Sequence, residues 1–126
     1  MILKLLEDEY SVYKVSNQEF FTKNIFSTKF ISITKTEDEV SIVASSNFFK
    51  DFDKFEDGWK ILKIEGILDF NLIGILSKIS NILANEKIAI FVISTYNTDY
   101  IMIKKENIEK AITILTENKY QIEIGS

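Results

Sequence analysis

The stretch 71-NLIGILSKISNILANEKIAIFVISTYNTDYIMIK-104 decides how this chain folds. Its first half sets Leu72, Ile75, Leu76, Ile79, Ile82 and Leu83 at steps of three and four, one apolar stripe along a helix over Asn71–Asn85. Asp69 or Asn71 can cap the start, and Asn85 suits the left-handed position at the end. The second half changes period. Ile88–Thr95 is a strand with apolar residues on both faces, which predicts a central place in a sheet, and Tyr100–Lys104 returns after a tight turn.

Downstream, Ile108, Ala111, Ile112 and Leu115 share one face of a second helix over Asn107–Glu117, and Tyr120–Ile124 forms a last strand. Upstream, Asp57-Gly58 reads as a turn and Trp59–Leu68 as a strand. The order is β-α-β-β-α-β, the split βαβ pattern of a ferredoxin-like unit. The N-terminal half reads less clearly. Ile2–Leu6 and Tyr10–Val15 are strands around an acidic turn, and Phe30–Thr34 with Val40–Ala44 is a hairpin. Asn17–Lys23 and Ser45–Phe55 suit short helices. A shift of 61 positions lays Phe30 on Phe91, Thr34 on Thr95, Val40 on Ile101 and Trp59 on Tyr120, an internal repeat. The expectation is therefore an α+β chain of two ferredoxin-like βαββαβ units, residues 1–57 and 58–126. Ile2–Leu6 would supply the fourth strand of the first unit in a permuted order.

Composition narrows the chemistry. The 126 residues contain no Cys, no His and no Pro, and all 15 basic side chains are lysine. A Ser–His or Cys–His nucleophile pair and an ordinary zinc site are thereby excluded. So is a guanidinium clamp on phosphate or carboxylate. A net charge of −4 with no basic patch argues against nucleic acid. No apolar run reaches the ~18 residues that span a membrane, and MILKLLEDEY is too short and acidic for a signal peptide. A cytoplasmic location is the default expectation. The cluster Phe48, Phe49, Phe52, Phe55 and Trp59 is interleaved with acids that repel phosphate, so these rings read as core.

The segment Gly66-Ile-Leu-Asp-Phe-Asn-Leu-Ile-Gly74-Ile-Leu, followed by Ser94-Thr95-Tyr96-Asn-Thr-Asp99 at a strand end, resembles the ACT-domain proteins of the aspartokinase and arginine-sensor (CASTOR-like) branch. Phe30–Val43 and Asp57-Gly-Trp59 resemble small bacterial members of that branch, and the likeness runs from about Leu3 to Ile124. It implies tandem βαββαβ units with sheets joined edge to edge, a small effector, usually an amino acid, at unit interfaces, and a homodimer. It implies neither catalysis nor a cofactor. The Thr, aromatic and Asp positions of the arginine-sensor branch fall on Thr95, Tyr96 and Asp99.

Two constellations carry the expected ligand site. The loop from Asp69 through Asn71, Ile73, Gly74 and Ile75 joins a strand end to a helix start. Free backbone N–H groups there attract a carboxylate, and Gly74 permits close approach. In a chain without Arg, backbone amides are the best carboxylate receptor. Beside it, Ser94, Thr95, Tyr96 and Asp99 offer hydroxyls, a ring face and a carboxylate for an ammonium. Each has a plain structural alternative: Asp69 and Asn71 serve equally as helix caps, and a hairpin turn favours Asn, Thr and Asp on its own account. A ligand-free interaction module of the same fold is the other functional reading. No catalytic or metal-binding residue is expected.

Overall fold

The computed structural model describes residues 1–15, 25–48, 54–65 and 74–125. Contacts divide the chain into two units: Asp8–Gly58, and Met1–Glu7 together with Trp59–Ser126. Among the described residues, eight strands and two α-helices make an α+β protein. In chain order they are β1 (Ile2–Leu6), β2 (Tyr10–Val15), β3 (Ile31–Lys35), β4 (Val40–Ser45), β5 (Phe55–Ile64), α1 (Ile75–Asn85), β6 (Phe91–Ser94), β7 (Asp99–Lys104), α2 (Ile108–Glu117) and β8 (Gln121–Gly125).

The C-terminal unit follows the expected β5-α1-β6-β7-α2-β8 path. Its strands lie in the order β6-β7-β5-β1-β8. Without β1 this would be the ferredoxin-like order, with the last strand beside the first. β1 is inserted between them, antiparallel to β5 (Leu3 opposite Ile64) and parallel to β8 (Leu3 opposite Ile122). Ile2–Leu6, expected to complete the first unit, is thus hydrogen-bonded into the second.

One face of this sheet carries both helices. Leu3, Leu62, Ile64, Ile101 and Ile103 meet Ile79 and Leu83 of α1 and Ala111 and Leu115 of α2, all fully buried. These are the stripes that the three-and-four spacing selects. The other face alternates with it. There Trp59 and Phe91 have ring centroids 6.1 Å apart, and Lys104 Nζ lies 4.8 Å over the Trp59 ring.

Both helices end in the same way. Ile88 N–H donates to Leu83 O at 3.0 Å and Lys87 N–H to Ala84 O at 2.9 Å. Tyr120 N–H donates to Leu115 O and Lys119 N–H to Thr116 O, both at 3.0 Å. Each pair is a Schellman closure, with the apolar Ile88 or Tyr120 folded onto the core. The left-handed residue is Lys87 (φ 59°) in one and Lys119 (φ 71°) in the other, not Asn85. An L-residue with a Cβ costs about 1–2 kcal/mol in that conformation. Lys87→Gly is accordingly expected to stabilise the protein by about 1 kcal/mol, read as a shift of the urea midpoint with unchanged slope. A loss of stability would mean that the Lys87 side chain makes a contact worth more than the strain.

In the Asp8–Gly58 unit, β4 pairs antiparallel with both β2 (Tyr13 opposite Ile42) and β3 (Ile33 opposite Ile42). Tyr13, Val15, Ile42 and Ala44 form its core, with Ile31, Val40 and Phe48 packed against them. Tyr10 stands edge-on to Phe30 at 5.7 Å, and burial, helped by the Asp8 charge, pushes its hydroxyl up to about 12.

Several expectations shift. The helix expected over Asn17–Lys23 falls outside the described residues. That over Ser45–Phe55 does not start at Ser45, which ends β4 and accepts from Phe48 N–H at 2.9 Å, nor reach Phe55, which opens β5. Phe55 is 52% exposed, not core. Asp57-Gly58 is no turn: β5 runs through it, with Gly58 at φ 77° as a kink within the strand. Ile88–Thr95 yields a strand only over Phe91–Ser94, and among the described residues it pairs with β7 alone, so it lies at an edge rather than the centre. Its two apolar faces have different causes: Val92 lies opposite Ile101 on the helix-covered face, and Phe91 opposite Met102 on the other.

Two hairpins correspond in geometry, in a register other than the one expected. Thr36 N–H donates to Glu39 O, and Thr95 N–H to Thr98 O, each at 2.9 Å, closing equivalent hairpin turns. The strands that follow, Val40–Ser45 and Asp99–Lys104, share one burial pattern. The offset is 59, since Thr36 matches Thr95, where sequence similarity suggested 61. A slip of two residues leaves every side chain on its own face, so alternation cannot distinguish the two.

Candidate functional site

At one end of the C-terminal sheet meet the end of β5, the starts of β1, β7 and β8, and the turn after β6. Glu65 N–H donates to Ile2 O and Gln121 N–H to Met1 O, both at 3.0 Å. The β6–β7 turn is fastened to the same end. Thr98, 3% exposed, donates its hydroxyl to Ile64 O at 2.7 Å. The expected ligand residues Ser94, Thr95, Tyr96 and Asp99 belong to this turn and its flanks. Thr95 Oγ1 donates to Thr98 O at 3.0 Å and accepts from Thr98 N–H at 3.3 Å, so its hydroxyl serves the hairpin. Tyr96 is 86% exposed. Asp99 is half-buried opposite Ser94 on the first rung of β7.

The helix-start loop is described only from Gly74 onward; Asp69, Asn71 and Ile73 lie outside the described residues. Gly74 is not inside the first helical turn. It precedes α1 at φ 84° and accepts from Lys78 N–H at 2.9 Å. An added Cβ there would meet no atom within 4 Å, so the glycine answers the backbone and not a packing limit. Any L-residue at Gly74 would therefore strain the backbone.

Gly74 and Ile75 line a cavity of about 340 Å³ together with Met1, Lys78, Asn118, Lys119 and Tyr120. That volume suits a small metabolite. The cavity gathers the end of α2 and the start of β8 around the start of α1. Ser94, Thr95, Tyr96 and Asp99 are not in its lining, so the two expected constellations share a sheet end without sharing this cavity. Lys78, Lys119 and Tyr120 carried no functional signal in the sequence, because their convergence depends on where the Schellman turn leaves the chain. In the sequence Thr98 reads as an ordinary turn residue. Among the described residues, no group of three or more acidic, His or Cys side chains is placed to hold a metal ion, and no helix is long and apolar enough to cross a membrane.

No curated protein matched the chain by sequence. Among solved structures, a protein of Agrobacterium tumefaciens is 26% identical over 99% of this chain and 93% of its own, with a TM-score of 0.86. The aspartate kinase of Clostridium acetobutylicum, described as an allosteric enzyme, is 14% identical over 90% of this chain and 33% of its own, with a TM-score of 0.62. The regulatory subunit of Thermus thermophilus aspartate kinase is 9% identical over 87% of this chain and 92% of its own, at 0.57. These last two likenesses are likenesses of fold. A second family model, that of an N-terminal domain, matches residues 8–50. The model of the ACT domain matches residues 54–117, about half of the sequence, and includes β5, α1, β6, β7 and α2. ACT domains generally bind small effectors, oligomerise and are non-catalytic, and this chain belongs to the ACT domain family.

Proposed function

We propose that this chain is a non-catalytic regulatory protein of the cytoplasm that binds a small effector, an amino acid by its class, at the sheet end where α1 begins. The observation that carries the reading is the cavity lined by Gly74, Ile75 and Lys78 of the matched ACT segment, with Met1 and Asn118–Tyr120 from outside it. Asp69, Asn71 and Ile73 would continue its wall from the preceding loop. Ser94, Thr95, Tyr96 and Asp99 would receive the part of the ligand that extends along the sheet end. We read residues 1–57 and 58–126 as two ACT-like units, the first permuted in that its strand Ile2–Leu6 pairs within the second, with the matching hairpin turns as support.

The test is thermal shift against the twenty amino acids. A ligand at about 100 times its Kd stabilises by about 2.7 kcal/mol, enough to move the melting point by several degrees. Silence across the panel would leave the interaction module as the better reading. For a ligand that does bind, Asp99→Asn is expected to weaken it ten- to a hundredfold, as loss of one charge-assisted hydrogen bond of roughly 1.5–3 kcal/mol requires. Titration calorimetry showing equal affinity would remove Asp99 from the site.

The same reading includes a homodimer. β6 is an edge strand, and Phe91 is exposed on the face that the helices leave bare. Light scattering at tens of micromolar should give twice the 14.6 kDa of one chain; the single-chain mass would remove the dimer.

A further inference from the structure

Thr98 is the buried member of an otherwise open hairpin turn. It is 3% exposed, while Tyr96 in the same turn is 86% exposed. The turn's own hydrogen bonds meet at the Thr98 backbone: its carbonyl accepts from Thr95 N–H at 2.9 Å and from Thr95 Oγ1 at 3.0 Å. Its side chain serves something else, donating across to Ile64 O at 2.7 Å. The other hairpin shows what that side chain is not needed for. There Thr36 N–H donates to Glu39 O at 2.9 Å and Thr36 Oγ1 accepts from Glu39 N–H at 3.2 Å, with an exposed Glu39 in the place of Thr98. The same local turn therefore closes without a buried side chain at that position. What Thr98 adds is attachment of the turn to the end of β5, beside the point where Glu65 N–H holds Ile2 O. From that end the chain leaves toward α1.

We propose that Thr98 is a positioning residue of the effector site: its bond to Ile64 O holds in place the turn that presents Thr95, Tyr96 and Asp99. This rests on the reading of the sheet end as the effector site and adds the residue that sets the geometry of one side of it. Thr98 acts through its neighbours and not by contact with the ligand. Asp99 follows it in the chain, and the Thr95 hydroxyl is bonded to both its N–H and its carbonyl, so a shift at Thr98 moves both. With the anchor, a ligand meets a turn already fixed. Without it, the ordering has to be supplied on binding and is subtracted from the affinity.

The experiment titrates the full chain, Thr98→Val, Thr98→Ser and Ile42→Val calorimetrically, well below their melting temperatures. The probe is whichever of the twenty amino acids most raises the melting temperature of the parent. Thr98→Val should bind it about three- to tenfold more weakly, the loss expected when a side chain must be ordered on binding. Thr98→Ser keeps the hydroxyl and should restore the parent's affinity. Ile42→Val trims the fully buried core of the Asp8–Gly58 unit, and should lower the melting temperature with affinity unchanged. In the free protein, the Thr95 amide should exchange faster in Thr98→Val than in the parent, and the Thr36 amide at the same rate in both. Equal affinity in Thr98→Val and the parent, an unchanged Thr95 amide, or a Thr98→Ser that binds as weakly as Thr98→Val would each overturn the assignment and leave the effector reading standing. An equal loss of affinity in Ile42→Val would overturn it too, because lowered stability alone would then account for the loss. Silence of the parent across the panel removes the effector reading and this inference with it.

Discussion

Leu3→Ala should cost about 3 kcal/mol, the largest loss expected of any single truncation considered for this protein. Leu3 is fully buried, sits opposite both Ile64 and Ile122, and belongs to the cluster that holds the two helices. Deleting three carbon atoms from such a site removes their transfer free energy and leaves a cavity, with measured costs of about 2–5 kcal/mol. Against a total stability of about 5–15 kcal/mol, that is a substantial fraction. Urea denaturation gives the size of the effect. Amide exchange gives its location: protection should fall in α1 and α2, whose core Leu3 shares. If protection fell only within Asp8–Gly58, the strand would belong with the first unit, as its sequence position suggested.

The second large effect concerns one hydroxyl. Thr98→Val keeps the shape of the side chain but removes the 2.7 Å bond to Ile64 O. That carbonyl closes β5 in a buried place, and a buried acceptor that loses its donor costs about 1–3 kcal/mol. Thr95→Val removes longer bonds, of 3.0 and 3.3 Å, from a part-buried turn that water reaches, and should cost less than about 1 kcal/mol. Parallel melts of the two variants decide between the roles. A cost for Thr95→Val equal to or above that for Thr98→Val would mean that the turn itself, and not its anchor on β5, is the stabilising element.

What was legible in the sequence was what periodicity can express. The apolar stripes of α1 and α2 appear at a spacing that only a helix turns into one face, and Ile79, Leu83, Ala111 and Leu115 are buried as that spacing requires. The place of Ile2–Leu6 was not legible, because a strand's alternation names its faces and not its neighbours. Nor was the kink at Gly58: Asp-Gly commonly marks a turn, and the same left-handed freedom serves a bend inside a strand. Of the expected site, Gly74 and Ile75 stand in a cavity, while the Thr95 hydroxyl is engaged in the hairpin. Lys119 was invisible as a site residue, since a lysine after Asn118 reads as a solvated helix end. Its position follows from tertiary closure, the Schellman bond of Tyr120 N–H to Leu115 O.

The inserted strand β1 also sets an order of events. It is made before both of its neighbours, and one of them, β8, lies almost the whole sequence away: Ile2 pairs with Gln121. Closing so long a loop adds little free energy, because the entropic term grows only logarithmically with length. It does delay assembly, since contacts of high sequence separation form slowly. Until β8 docks, the side of β1 that will face it is a row of unpaired backbone groups in a sheet that already carries much of its apolar core. That makes the nascent chain most vulnerable to pairing with a second molecule in the interval before its last strand is in place.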